Sequence, residues 1–234
     1  SDIVFVCTPV SSSVQIIEKV SRIVGPDCII TDVGSTKKQI VEKVNMMSGN
    51  FCFIGGHPMA GSEKSGFPAS TAHMFENAYY VLVRSKKTKP AAFEKMKEII
   101  VAIGAIPLEL SPSEHDMAAA AISHVPHIIS TILVNMVKEI DTDKGNMRRL
   151  AAGGFKDLTR ISSSDAGMWE SIVLSNREII EKLLFKYGKA IEAFRLWLSE
   201  GNGSKIYDYF LKAKEYRETV PSKTRGLIEP AYEI

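Results

Sequence analysis

Apolar and polar positions switch between two periods along the first hundred residues. Residues 3–8 (IVFVCT) form a continuous apolar run of buried-strand type that ends at Pro9. Ser11, Ser12 and Ser13 follow as helix-start residues. Val14, Ile17, Val20 and Val24, with Ile16 and Ile23, then recur at helical spacing until Gly25-Pro26 stops them. The same reading predicts strands at 28–31, 51–54, 78–83 and 106–110. It predicts helices at 36–47 and 90–103, the second opened by proline in its first turn. Strands alternating with helices of this length argue for βαβ units and a mostly parallel sheet.

The pattern changes near Ser111. Ser111-Pro112-Ser113-Glu114 combines a capping box with proline at the first helical position. From there to Lys138 the spacing is helical, with Pro126 expected to distort it. Residues 170–198 form a long amphipathic stretch broken only by Gly188, and 204–218 a further helix. No strand-like run follows residue 110. The predicted class is α/β plus all-α, with an α/β domain over 1–110 and a helical domain with a C-terminal arm over 111–234.

Composition narrows the function classes. The 234 residues are 45% hydrophobic and 24% charged, the balance of an ordinary globular protein. A net charge of +2 gives no electrostatic case for nucleic acid or an anionic membrane. No run reaches the roughly 18 uninterrupted apolar residues of a membrane span, and no signal peptide opens the sequence. Cys7, Cys28 and Cys52 each fall in a strand-like run, which predicts reduced, buried thiols in a cytoplasmic protein.

Parallel α/β sheets bind ligands at the carboxyl ends of their strands. Three such ends are small and polar here: Thr8-Pro9, Asp32-Val33-Gly34-Ser35 and Gly55-Gly56-His57-Pro58. His57 projects where a base could meet substrate, or it is an ordinary loop residue. Gly56 and Gly61 have P-loop spacing, but Ser62-Glu63 stand where Lys-Ser/Thr is required, so that reading fails. His124 and His127 could be metal ligands joined by His115 or Asp116, polar core, or substrate contacts. Asp157 and Arg160 are three apart, so on a helix they share a face. They form either a solvated ion pair or a braced guanidinium that binds a carboxylate. Trp169 and Trp197 read as core or interface.

Taken together these segments resemble the prephenate/arogenate dehydrogenase family. The matching blocks are Asp32-Val33-Gly34-Ser35-Thr36-Lys37, the run from Gly55-Gly56-His57-Pro58-Met59-Ala60-Gly61 to Gly66, Asn77-Ala78-Tyr79-Tyr80, Ser123-His124-Val125-Pro126-His127, and Gly153-Gly154-Phe155-Lys156-Asp157-Leu158-Thr159-Arg160 with Asp165 and Met168-Trp169. The resemblance implies NAD(P)-dependent oxidative decarboxylation of prephenate to 4-hydroxyphenylpyruvate in tyrosine biosynthesis, with arogenate dehydrogenase as the alternative. It implies His57 as proton acceptor for the ring hydroxyl and Ser35 as its second partner beside the nicotinamide. Arg160, braced by Asp157, would bind a substrate carboxylate. His127, Ser62 and Gly153 would line the remainder, with Glu63 at the entrance. Thr8, Pro9, Asp32, Gly34 and Ser35 would contact NAD, with NADP as an alternative. Trp169 would reach the site of a partner subunit, in a homodimer formed through the helical domain.

The sequence departs from the family in one respect. No Gly-x-Gly-x-x-Gly occurs in it, and residues 3–8 correspond to a later strand of the expected Rossmann-type domain. The expectation is a domain lacking about its first 60 residues, with an exposed edge at residues 3–8, weak binding of a prephenate-like dicarboxylate and no turnover of cofactor. Two readings from other classes compete: an inactive dimeric module that senses prephenate or tyrosine, and a metal-dependent hydrolase using His57, His124 and His127.

Overall fold

The computed structural model describes residues 1–61, 66, 68 and 70–221. Among these residues five strands form one sheet in sequence order: β1 (Ile3–Val6), β2 (Ile29–Asp32), β3 (Cys52–Pro58), β4 (Tyr79–Arg84) and β5 (Ile106–Glu109). β1, β2 and β3 pair in parallel, as do β4 and β5. β3 and β4 pair antiparallel, a reversal the alternating pattern did not predict. The carboxyl ends of β1–β3 and the start of β4 therefore lie along one edge of the sheet.

The sheet is covered on both faces because successive side chains on a strand point opposite ways. Ile30, Phe53 and Val83 pack on one face with Ile17 of α1 (Val10–Ser21) and Ile40, Val41 and Val44 of α2 (Lys38–Met46). Ile29, Ile54 and Leu82 pack on the other with Phe93, Met96 and Ile100 of α3 (Pro90–Ala102). Among the described residues β1 pairs on one side only, and Phe5 is 42% exposed. Cys28 and Cys52 are buried as expected. Cys7 is exposed, because β1 ends one residue before it.

Among the described residues every regular element after β5 is helical: α4 (Pro112–Ala119), a π-helical turn (Ala120–His124), α5 (Val125–Ile140), α6 (Asn146–Leu150), α7 (Gly153–Thr159), a 3-10 turn (Arg160–Ser163), α8 (Ala166–Ser175), α9 (Arg177–Ser199) and α10 (Gly203–Thr219). The capping box at Ser111 and Glu114 forms in both directions, at 3.2 and 2.9 Å. Pro126 cannot donate to residue 122, and its ring crowds that carbonyl; the wider π turn, closed by the Val125 N–H on Ala120, relieves both problems. Gly188 does not break the long amphipathic stretch. The break falls at Asn176, where φ is −122° and ψ 24°. Ala120, Val125 and Ile180 form the centre of the helical half.

The continuous run Pro112–Ile140 contains an 18-residue window of mean hydropathy 1.6, so by length and composition it matches a membrane span. Its polar residues His124, His127 and Ser130 are buried, while the apolar Ile122, Ile132, Met136 and Ile140 are exposed.

One buried ion pair ties the strand ends together. Lys37 and Asp32 are both fully buried, and the Lys37 ammonium donates to Asp32 Oδ2 and, at 2.7 Å, to the Gly56 carbonyl. Burial pulls the Lys37 pKa down, and Asp32 opposes that shift. Asp32 also accepts from the backbone of Gly34 at 2.9 Å and of Gly56 at 3.2 Å, so β2, β3 and the start of α2 converge on one carboxylate. Gly56 permits this approach, since a Cβ there would lie 2.5 Å from the Asp32 carbonyl oxygen. Lys37→Met is expected to cost about 3–5 kcal/mol, because it leaves the Asp32 charge buried without a counter-ion. Urea unfolding of the variant against the parent measures it.

Candidate active site

A cavity of about 460 Å³ lies where the strand ends meet the helical half. Its wall combines Ser35 and His57 from the sheet with Ser123, His124, Pro126 and His127 from the π turn and α5. Arg160, Ile161 and Ser164 follow from the 3-10 turn and its end, and Met168 and Trp169 from α8. Four stretches distant in sequence thus supply one pocket.

His57 sits inside β3, paired with Val81, rather than in a loop beyond the strand. Its Nδ1 is 2.7 Å from His115 Nε2, and His115 Nδ1 is 2.7 Å from Asp116 Oδ1. These contacts assign the protons. A carboxylate only accepts, so His115 Nδ1 carries hydrogen; with His115 neutral, its Nε2 accepts, and His57 Nδ1 must donate to it. The lone pair of His57 is therefore on Nε2, which makes no hydrogen bond among the described residues. Burial, and then the neighbouring His115 imidazole, hold the His57 pKa well below the usual histidine value, with Lys37 and His124 adding to the effect.

Asp116 is itself held firmly. Its carboxylate accepts from the backbone of Lys37 at 2.7 Å and of Lys38 at 3.0 Å, at the start of α2. Asp116 thereby caps one helix while standing within another. Residue spacing placed His115 and Asp116 only as metal-ligand alternatives. Neither their adjacency nor the cap at Ser111 signals a relay to a histidine 58 positions away. Among the described residues no group of three or more His, Cys, Asp or Glu side chains is gathered as a metal site.

His127 stacks on Trp169 with ring centroids 3.5 Å apart and planes 16° from parallel, and His124 meets the same indole edge-on at 6.1 Å. The Asp165 side chain caps α8 at the Met168 N–H, 2.7 Å, which sets Trp169 in the first turn facing the cavity. Trp169 thus lines the pocket of its own chain. Among the described residues its buried indole Nε1 has no hydrogen-bond partner.

Other expectations are corrected as well. Arg160 lines the cavity, but among the described residues no ion pair joins it to Asp157. Arg160 opens the 3-10 turn and lines the cavity, whereas Asp157 stays exposed on α7 outside its wall, and the two side chains do not meet. Asp157 and Gly153 are exposed and outside the cavity wall. Asp32 is fully buried and both its oxygens are taken by Gly34, Lys37 and Gly56, so it organises the strand ends and is not part of the cavity wall. Thr8 and Pro9 follow β1, with Pro9 capping α1, and Gly34-Ser35 follow β2 beside them. Ser62 and Glu63 lie outside the described residues.

The buried histidines make the fold acid-sensitive. Burial lowers the His124 pKa to about 4 from an ordinary 6.5. The unfolded chain therefore binds the proton first as pH falls, and stability present above pH 6.5 is lost down to about pH 4, by about 3 kcal/mol for this group. Urea midpoints measured across that window should fall with acid, and His124→Phe should flatten the slope.

Comparisons with known proteins agree with this architecture. Residues 1–107 match the family model of the prephenate dehydrogenase nucleotide-binding domain, and residues 111–212 that of the prephenate dehydrogenase dimerization domain. The prephenate dehydrogenase of Bacillus subtilis (strain 168) is 36% identical over 233 residues, 99% of this chain and 63% of the relative. That of Lactococcus lactis subsp. cremoris is 35% identical over 223 residues, 94% of this chain and 61% of the relative. The chain thus spans less than two thirds of the length of these curated relatives. Among solved structures, Aquifex aeolicus prephenate dehydrogenase in complex with hydroxyphenyl propionate and NAD+ superposes with a TM-score of 0.86 at 30% identity, covering 94% of this chain and 77% of that one. Synechocystis arogenate dehydrogenase superposes with a TM-score of 0.80 at 27% identity, covering 94% and 80%. With both family models matched in order across the α/β and helical halves, this chain belongs to the prephenate dehydrogenase family.

Proposed function

We propose that this chain carries the substrate half of a prephenate dehydrogenase site, for NAD-dependent oxidative decarboxylation of prephenate to 4-hydroxyphenylpyruvate in tyrosine biosynthesis. The observation that carries the reading is the His57–His115–Asp116 chain, which presents an acceptor nitrogen to a cavity that Arg160 also lines. A hydroxylated ring carrying carboxylates matches that pair of groups. The Aquifex relative holding hydroxyphenyl propionate and NAD+ supports both ligand classes for this chain.

The residues present fit the reactive end of the dinucleotide. Thr8-Pro9 and Gly34-Ser35 end neighbouring parallel strands, the usual crevice for such a ligand, and Ser35 lines the same cavity as His57. Thr8, Pro9, Gly34 and Ser35 would hold it there. When bound, NAD supplies the acceptor for the hydride lost from the carbon bearing the ring hydroxyl.

The protein's own part is proton handling and orientation. His57 Nε2 draws the hydroxyl proton as that carbon is oxidised. His115 and Asp116 hold the imidazole in the required tautomer and steady the charge it gains. The electron pair released as CO2 leaves makes the ring aromatic, and His57 returns its proton to the phenol oxygen. No net proton is consumed. Arg160 would anchor a carboxylate through a charge-assisted hydrogen bond. The family match to a dimerization domain supports a homodimer. Apolar side chains left exposed on α9 and α10, Phe185, Leu196, Tyr207 and Phe210 among them, supply a face for it. The buried Cys28 and Cys52 thiols suit a reducing, cytoplasmic setting.

Three measurements test the reading, with a glycine-rich dinucleotide turn present on the same polypeptide. His57→Asn should lower kcat about 10²–10⁴-fold with little change in substrate affinity. Arg160→Ala should instead raise KM at least about tenfold. Because the active imidazole is the neutral one and its pKa is held below 6.5, kcat/KM should stay level down to that pH and fall only below it. A His57 variant that keeps most of its turnover overturns the assignment.

A further inference from the structure

Asn176 sits at the break between α8 and α9, buried, and is used by none of the chemistry above. Its side-chain Nδ2 donates to the Asp116 backbone carbonyl at 2.9 Å. The same nitrogen lies 3.4 Å from His124 Nδ1. A backbone carbonyl can only accept, so the amide nitrogen, not the amide oxygen, must face Asp116. That orientation aims the second amide hydrogen at His124 Nδ1, which must then carry a lone pair. A neutral imidazole with its lone pair on Nδ1 carries its proton on Nε2. His124 Nε2 makes no hydrogen bond among the described residues, and the ring lines the cavity against Trp169.

We propose that Asn176 is a positioning residue that locks His124 as a neutral Nε2–H donor, so that the cavity offers an acceptor nitrogen at His57 and a donor nitrogen at His124. The two rings have opposite tautomers because they lean on opposite partners: an imidazole acceptor behind His57, an amide donor behind His124. Burial keeps His124 uncharged, with its pKa lowered to about 4. His124 thus recognises a ligand oxygen, keto or carboxylate, by direction and not by charge. Asp116 links the two assignments, since its side chain fixes His115 and its carbonyl fixes Asn176. The ligand class rests on the function proposed above; the tautomer does not.

The test begins without ligand. Nitrogen-15 imidazole spectra of the labelled chain should show His124 protonated on Nε2 at neutral pH. In Asn176→Ala the signal should move toward a mixture of the two tautomers. Binding of hydroxyphenyl propionate, followed by calorimetry, should weaken about five- to tenfold in Asn176→Ala. In a His124→Phe background the same substitution should produce no further loss, because Asn176 acts through His124. Finding the His124 proton on Nδ1 in the parent overturns the proposal, as does an equal binding loss from Asn176→Ala in both backgrounds. If the parent shows the Nε2 proton yet hydroxyphenyl propionate does not bind, the tautomer assignment is upheld and the functional reading is what fails.

Discussion

The two halves of this molecule depend on one carboxylate. Asp116 leaves α4 to cap α2 through two backbone N–H groups, accepts from His115, and offers its own carbonyl to Asn176 at the head of α9. A buried carboxylate is tolerable only when its lone pairs are filled by donors, and here every donor comes from an element that must be in place. The hydroxyl pair Thr36–Ser175 at 3.0 Å and the Ser11 N–H to Ser171 at 3.0 Å reinforce the same junction from either side. The cavity exists because this junction holds sheet and helices at a fixed separation.

Asp32 plays the equivalent part within the sheet. It gathers Lys37, Gly34 and Gly56, so the ends of β2 and β3 are set by one buried charge with its counter-ion. Lys37 links the two hubs: its ammonium belongs to Asp32 and its backbone N–H to Asp116. A shift at either carboxylate would move the backbone that carries Ser35 and His57. Rigid placement of this kind suits a site that works by direction of hydrogen bonds, since a neutral imidazole loses its purpose if it can rotate.

The histidines show why burial matters for chemistry. His57, His124 and His127 all have their pKa lowered by loss of water, so the pocket presents neutral rings near neutral pH. Each ring's usefulness then depends on the partner behind it, not on charge. Ser123, His124 and His127 reach the same wall because residues three and four apart are neighbours on a helix, and the π turn just before Pro126 keeps that helix continuous.

Local pattern determined much of this protein by itself. All five strands, the helices between them and the cap at Ser111 were legible, because apolar period and capping chemistry act over a few residues. The polar strand ends and His57 were legible for the same reason, and motif order carried the family. Tertiary structure alone decided the rest. The antiparallel return of β4 depends on how a chain comes back to a sheet, which no local period encodes. Arg160 lines the cavity while Asp157 does not, and the helix break falls at Asn176, whose side chain bonds a carbonyl 60 residues away, and not at Gly188. The relay behind His57 and the amide behind His124 pair residues 58 and 52 positions apart. Proton positions on an imidazole follow from such partners, and partners that distant meet only once the chain has folded.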